Sequence, residues 1–220
     1  MYPVMDLHFA GLWVRTLTPE DADLLVEATR EESARALWDA FPAGPYSSQD
    51  AQDALLAWDH RSSGQVSYGV LDGSRLVAAV GLMPDGAEAA ELAYWVPPGQ
   101  RRRGFGLRGV QAVTRWAHRD AGLRRVWLEI NPANAPSLRL AERAGYRFDE
   151  RLPRHCRSWI ADEPGRDAWH DCLIWIHDDQ PPPAPIPLGG PARSAGVGAA
   201  AEPIDSTGGG ASERSRRQRW

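Results

Sequence analysis

Residues 94–106, Tyr-Trp-Val-Pro-Pro-Gly-Gln-Arg-Arg-Arg-Gly-Phe-Gly, constrain the fold of this chain more than any other stretch. A strand-like run through Tyr94, Trp95 and Val96 stops at Pro97-Pro98-Gly99, because proline donates no ladder hydrogen bond. Arg101-Arg102-Arg103-Gly104-Phe105-Gly106 follows, and residues 107–121 then read as a helix. A strand, a tight basic turn, glycines and a helix start together describe an anion site, where free backbone N–H groups point outward. Gly104 and Gly106 permit close backbone approach and unusual dihedrals. Arg101, Arg102 and Arg103 add charge, and each is equally suited to facing solvent.

The elements around this block follow from periodicity and turn chemistry. Residues 12–17 read as a strand. Thr18-Pro19-Glu20-Asp21 opens a helix expected to run to about Ser33, since Thr18 caps and Pro19 suits the first helical position. A second helical piece is expected over 34–40, and Ser48 is expected to cap the next helix, with Ala51, Leu55, Leu56 and Trp58 on its apolar side. Residues 65–71 and 75–83 flank Asp72-Gly73, a strong hairpin signal. A longer strand, 87–96, leads into the glycine block. Past it, Val110, Val113, Ala117 and Ala121 give the 104–121 helix one apolar face, and Gly122 stops it. Residues 123–130 alternate as a strand, 134–144 form a short helix ended by Gly145, and 146–152 and 169–176 are the last strands. The expected class is α/β (α+β), with a mixed, mostly antiparallel central sheet flanked by helices.

Composition bounds the function. The net charge is -4 with a pI near 5.9, against a surface built for nucleic acid. All 25 basic residues are arginine, a chain-wide bias that cannot be read as a local adaptation. Cys156 and Cys172 match no zinc spacing; two free thiols are expected, with a disulfide between their two strand segments as the alternative. No secretory signal and no apolar run long enough to span a membrane are visible, so the expected location is the cytoplasm. Residues 1–178 are expected to form one domain. Residues 179–220, rich in proline and glycine, are expected to be a flexible tail with a basic end, Arg214–Trp220.

With these residues in order, the chain resembles the GCN5-related N-acetyltransferase (GNAT) family, closest to the branch that acetylates ribosomal protein N-termini. The family's Arg/Gln-x-x-Gly-x-Gly/Ala signature is matched by Arg101-x-x-Gly104-x-Gly106. Glu129-Ile130-Asn131, then Asn134 and Ser137 at a helix start, and Ala141-Glu142-Arg143-Ala144-Gly145-Tyr146 match its later marks. Glu91-Leu92-Ala93-Tyr94-Trp95 and the late Asp171 also look like this branch.

The resemblance implies acetyl-CoA as donor, a primary amine as acceptor (a small molecule or a peptide or protein N-terminus), and a splayed V between strands 87–97 and 123–130. It implies a cofactor cradle of Arg101, Arg102, Arg103, Gly104, Phe105, Gly106 and Leu107. Backbone groups of Trp95 and Val96 would meet the pantetheine amides, with Asn134 and Tyr146 close by. Ser137 is implied as the acid that protonates the leaving thiolate, and the Val96 N–H as the oxyanion donor. Glu91 and Glu129 are rival bases, and either also suits a plain salt-bridged strand position. His118 reads as a surface residue, while His155 and His170 could border the acceptor site. Trp38, Asp39, Phe41, Tyr46 and Trp159 are the acceptor-site candidates, read as exposed aromatics and one amine-attracting carboxylate. A homodimer is plausible in the family, though no interface is legible. A competing expectation keeps the fold as a non-catalytic acyl-CoA-binding or regulatory module.

Overall fold

The computed structural model describes residues 2–31, 45–59, 61, 64–158 and 168–179. Among these residues eight strands form one sheet: β1 (Asp6–Phe9), β2 (Leu12–Thr16), β3 (Val66–Asp72), β4 (Arg75–Pro84), β5 (Ala89–Trp95), β6 (Arg125–Ile130), β7 (Arg147–Ser158) and β8 (Ala168–Asp178). Their order is β1-β2-β3-β4-β5-β6-β8-β7. Every pairing is antiparallel except that of β5 with β6. The exception follows from connectivity, since a helix lies between those two strands and a parallel pair needs such a crossover. The sheet is therefore mixed and mostly antiparallel, as the pattern predicts.

Among the described residues four α-helices flank it: α1 (Ala22–Thr29), α2 (Ser48–Ala57), α3 (Phe105–Arg119) and α4 (Ala135–Ala144). The α3 face made by Val110, Val113 and Ala117 is fully buried against Val70, Val80, Leu92, Val126 and Leu128. A second cluster of Leu17, Leu25, Ala51, Leu55 and Leu76 joins α1 and α2 to the sheet. All of these elements belong to one compact unit, Met1–Asp179. The helix expected over 34–40 and the tail expected over 179–220, Asp179 apart, lie outside the described residues.

Several expectations need correction. The edge strand β1 carries no strong pattern and was not anticipated. The helix expected from Thr18 to Ser33 begins as a short 3-10 turn, Pro19–Asp21, and α1 ends at Thr29. Arg15 takes both carboxylate oxygens of Asp21, at 2.6 and 2.8 Å, which ties that first turn to the end of β2. The cap of α2 is Ser47 rather than Ser48, because Ser47 and Asp50 complete a reciprocal box at the required spacing. Leu56 is exposed rather than part of the apolar side of α2. Cys172 is buried and disulfide-bonded, against the expectation of free thiols. The β7–β8 pairing places Cys156 opposite His170, two residues from Cys172.

Candidate active site

The glycine block folds into an uncapped helix start. Gly104 sits at the N-cap of α3 with φ 79°, and no side chain caps the helix. The N–H of Arg108 bonds the Gly104 carbonyl at 3.1 Å. The N–H groups of Phe105, Gly106 and Leu107 therefore precede the first intrahelical acceptor, as in any α-helix start. Arg102 also has positive φ, 62°, so the turn alternates handedness in the manner of an anion-binding nest.

The three arginines behave differently. Arg101 Nε donates to the Val96 carbonyl at 3.0 Å, so that carbonyl already has a partner. Arg103 bonds Gln100 Oε1 at 2.6 Å and lies over the Phe105 ring. Arg102 is exposed. Phe105 is buried beneath the guanidinium groups of Arg103 and Arg108, which hold the basic turn against the helix start.

The V opens beside this cradle. β5 and β6 pair only over Ala89–Arg125, Ala90–Val126 and Glu91–Trp127. From Leu92 onward β5 pairs with β4 alone, and from Leu128 onward β6 pairs with β8 alone. The closed end is tied by Trp127 Nε1 donating to Asp85 Oδ2 at 3.1 Å and by the N–H groups of Arg124 and Arg125 donating to the Glu88 carbonyl.

The open end is bridged by side chains. Tyr94 Oη donates to Ser137 Oγ at 2.9 Å, joining β5 to the first turn of α4. The N–H of Ser137 bonds Asn134 Oδ1 at 3.2 Å, so Asn134 is the N-cap of α4. Tyr94 was not assigned a role from sequence. Strand alternation places it on the face of Leu92 and Val96, which is the α3 side, and that parity was the available signal.

The two glutamates lie on the opposite face of the sheet. Glu91 shares its face with Ala93 and Trp95, and the side chain of Glu129 is 9% exposed beside His155, 3.8 Å away. The structure thus puts both candidate bases across the sheet from Ser137. Tyr146 is turned into the core, where its hydroxyl shares a 2.6 Å hydrogen bond with Thr114, and burial raises its pKa. His118 is half-buried rather than a surface residue, bonding the Leu123 carbonyl through Nδ1 and His177 through Nε2.

Of the acceptor-site candidates, Trp38, Asp39, Phe41 and Trp159 lie outside the described residues. Tyr46 is described and is buried at 3% exposure rather than an exposed aromatic. The apolar cluster of α1 and α2 encloses its ring, and burial pushes its phenol up to about 12. Among the described residues no group of His, Cys, Asp and Glu is placed to hold a metal ion, and no helix is long and apolar enough to cross a membrane.

The acetyltransferase (GNAT) domain family model matches residues 12–147, more than half of the chain. The chain belongs to the GNAT acetyltransferase family. This GNAT chain is accordingly an acetyltransferase. No curated protein matches it significantly in sequence. Solved structures similar to it include a ribosomal-protein-S5-alanine acetyltransferase from Vibrio fischeri, at 16% identity and TM-score 0.61, covering 79% of this chain and 96% of that one. A spermidine N-acetyltransferase mutant from Vibrio cholerae matches at 15% identity and TM-score 0.60, covering 77% and 94%. A GNAT-family acetyltransferase from Bacillus anthracis matches at 18% identity and TM-score 0.63, covering 79% and 98%. At these identities the likeness shows the fold. It does not separate the ribosomal-protein branch from other GNAT subfamilies.

Proposed function

We propose that this GNAT chain acetylates the α-amino group of a peptide or protein, taking the acetyl group directly from acetyl-CoA while both are bound. The observation that carries the reading is the uncapped start of α3 beside a V whose open end holds the Tyr94–Ser137 hydroxyl pair. The fit to coenzyme A rests on the same features. The helix start and nest suit a pyrophosphate, and the β5 edge from Leu92 to Val96 suits the amides of a pantetheine arm laid along it.

Acetyl-CoA, when bound, supplies a thioester activated for attack. In this reading the Val96 N–H donates to the carbonyl oxygen and Ser137 protonates the sulfur. Glu91 or Glu129, from the other face of the sheet, accepts through water the proton that the amine loses. The N–C bond forms as the C–S bond breaks, the electron pair leaves on sulfur, and solvent carries the proton from the glutamate back to Ser137, which restores both groups. Orientation within the V supplies much of the rate gain, and no covalent enzyme intermediate is required.

Amine basicity favours the α-amine as acceptor. An α-amine has a pKa near 8 and a lysine amine near 10.4, so far more of the α-amine is neutral at pH 7. Trp38, Asp39, Phe41 and Trp159 remain our proposed acceptor contacts.

The test is a thiol-release assay with acetyl-CoA against peptides bearing free N-terminal serine or alanine, and against spermidine. Turnover on the peptides supports the reading. Turnover on spermidine alone moves the acceptor to polyamines. Coenzyme A binding without turnover on any amine overturns catalysis in favour of a binding module.

A further inference from the structure

The Tyr94–Ser137 hydrogen bond has a direction. Tyr94 Oη is the donor and Ser137 Oγ the acceptor, at 2.9 Å. The hydrogen of Ser137 is therefore not spent on Tyr94. A serine in a helix commonly turns its hydroxyl back onto the backbone of the preceding turn. Ser137 Oγ instead reaches β5, while its backbone N–H is held by Asn134. Two anchors on one residue, one on the main chain and one on the side chain, fix where the hydroxyl hydrogen can point.

Tyr94 is itself held in place. Its ring lies beside the start of α3, with Cδ2 3.7 Å from where a Cβ on Gly106 would stand. Burial raises the phenol pKa, so the phenol stays protonated and remains a donor. The same ring thus touches the helix start that suits the phosphates and the hydroxyl that suits the sulfur.

We infer that Tyr94 is a positioning residue for acetyl transfer: it holds the Ser137 hydroxyl so that its hydrogen faces the leaving sulfur, and it stabilises the Ser137 oxygen as that hydrogen is given up. This rests on the acetyl-transfer reading above. The effect on the oxygen is that of any donor hydrogen-bonded to a group gaining negative charge. The phenol keeps its own proton throughout, so the proton balance of the transfer is unchanged.

The experiment compares the full chain with Tyr94→Phe, Ser137→Ala and the double variant. Thiol release is followed with acetyl-CoA and whichever of the serine peptide, alanine peptide or spermidine the wild type turns over, and coenzyme A binding is followed by calorimetry. Tyr94→Phe is expected to lower kcat about tenfold, the loss of one well-formed hydrogen bond. Its affinity for coenzyme A should stay within about twofold, because the ring that packs against α3 is retained. Ser137→Ala should cost about 100-fold in kcat, the lower end for a general acid. The double variant should be no slower than Ser137→Ala, because Tyr94 acts only through Ser137.

Wild-type kcat in Tyr94→Phe overturns the inference. So does an additive loss in the double variant, or a parallel loss of coenzyme A affinity, which would mark a structural role. A wild type inert on every amine removes the acetyl-transfer reading and this inference together. An active wild type indifferent to Tyr94 removes this inference alone.

Discussion

Gly104 and Gly106 are two residues apart and are glycine for different reasons. A Cβ on Gly104 would meet nothing within 4 Å, but its φ of 79° strains any side chain. Gly106 has no positive φ, yet a Cβ there would stand 2.9 Å from Val96 Cγ2 and 3.3 Å from Leu140 Cδ1. The first glycine shapes the nest, and the second lets α3 and α4 close on the end of β5. Gly106→Ala should therefore destabilise the fold by about 1–3 kcal/mol, the usual cost of overpacking, read as a lower denaturant midpoint. Gly104→Val should cost stability too, by about 1–2 kcal/mol for a left-handed position. Its distinguishing effect is on binding, where calorimetry should show coenzyme A affinity falling several-fold. An unchanged affinity would remove the cradle assignment. From sequence, both glycines carried the same explanation, because spacing alone does not separate a dihedral requirement from a packing one. Tyr46 shows the same limit, since an aromatic after a proline-rich turn suits an exposed platform or a small core, and only the packing of α1 against α2 decides for the core.

Strongly periodic elements were legible, and those decided by distant partners were not. α3 could be read from Val110, Val113 and Ala117 because its face is wide and wholly buried. The first turn before α1 could not, since its shape depends on Arg15 reaching Asp21 from β2. The contact between α3 and β8 was equally hidden. His118 near the end of α3 meets His177 on β8, with Nε2 3.0 Å from Nδ1, and the Tyr146 ring lies against His177. Burial, then the neighbouring His118, holds His177 below the usual 6.5, against the opposing pull of Asp178 and Asp179. A folded state that takes up a proton less readily than the unfolded chain loses stability as pH falls. This contribution is complete above pH 6.5 and declines as pH drops below it toward the depressed value. The melting temperature of the wild type should therefore fall between about pH 6.5 and 5.5, above the range where carboxylates dominate. His177→Asn should flatten the curve over that interval. An equal slope in both proteins would place the pH response elsewhere.

At the scale of the whole molecule, the sheet was legible because strand, glycine turn, helix and strand occur in an order that permits few topologies, whereas the V came only from the family resemblance. The edge strand β1 was not, since its alternating exposed and half-buried residues leave little apolar signal. The boundary after residue 178 was read from composition alone. Asp178 closes β8 by pairing with Arg125 at 2.7 Å and Arg147 at 2.9 Å, both on neighbouring strands. One residue later, the Asp179 N–H bonds the Arg124 carbonyl at 2.8 Å. Asp178 and Asp179 are thus both bonded to neighbouring strands or their flanks, and two truncations should differ sharply. Removing 180–220 deletes five arginines and three acidic residues but none of these bonds. It should leave the denaturant midpoint, coenzyme A binding and thiol release unchanged. Removing 178–220 deletes both ion pairs and the backbone bond. It should cost about 1–2 kcal/mol, since partly exposed pairs contribute up to about 1 kcal/mol each. Equal stability of the two truncations would show that Asp178 and Asp179 do not tie off the unit, and a loss on removing 180–220 alone would give that segment a structural part.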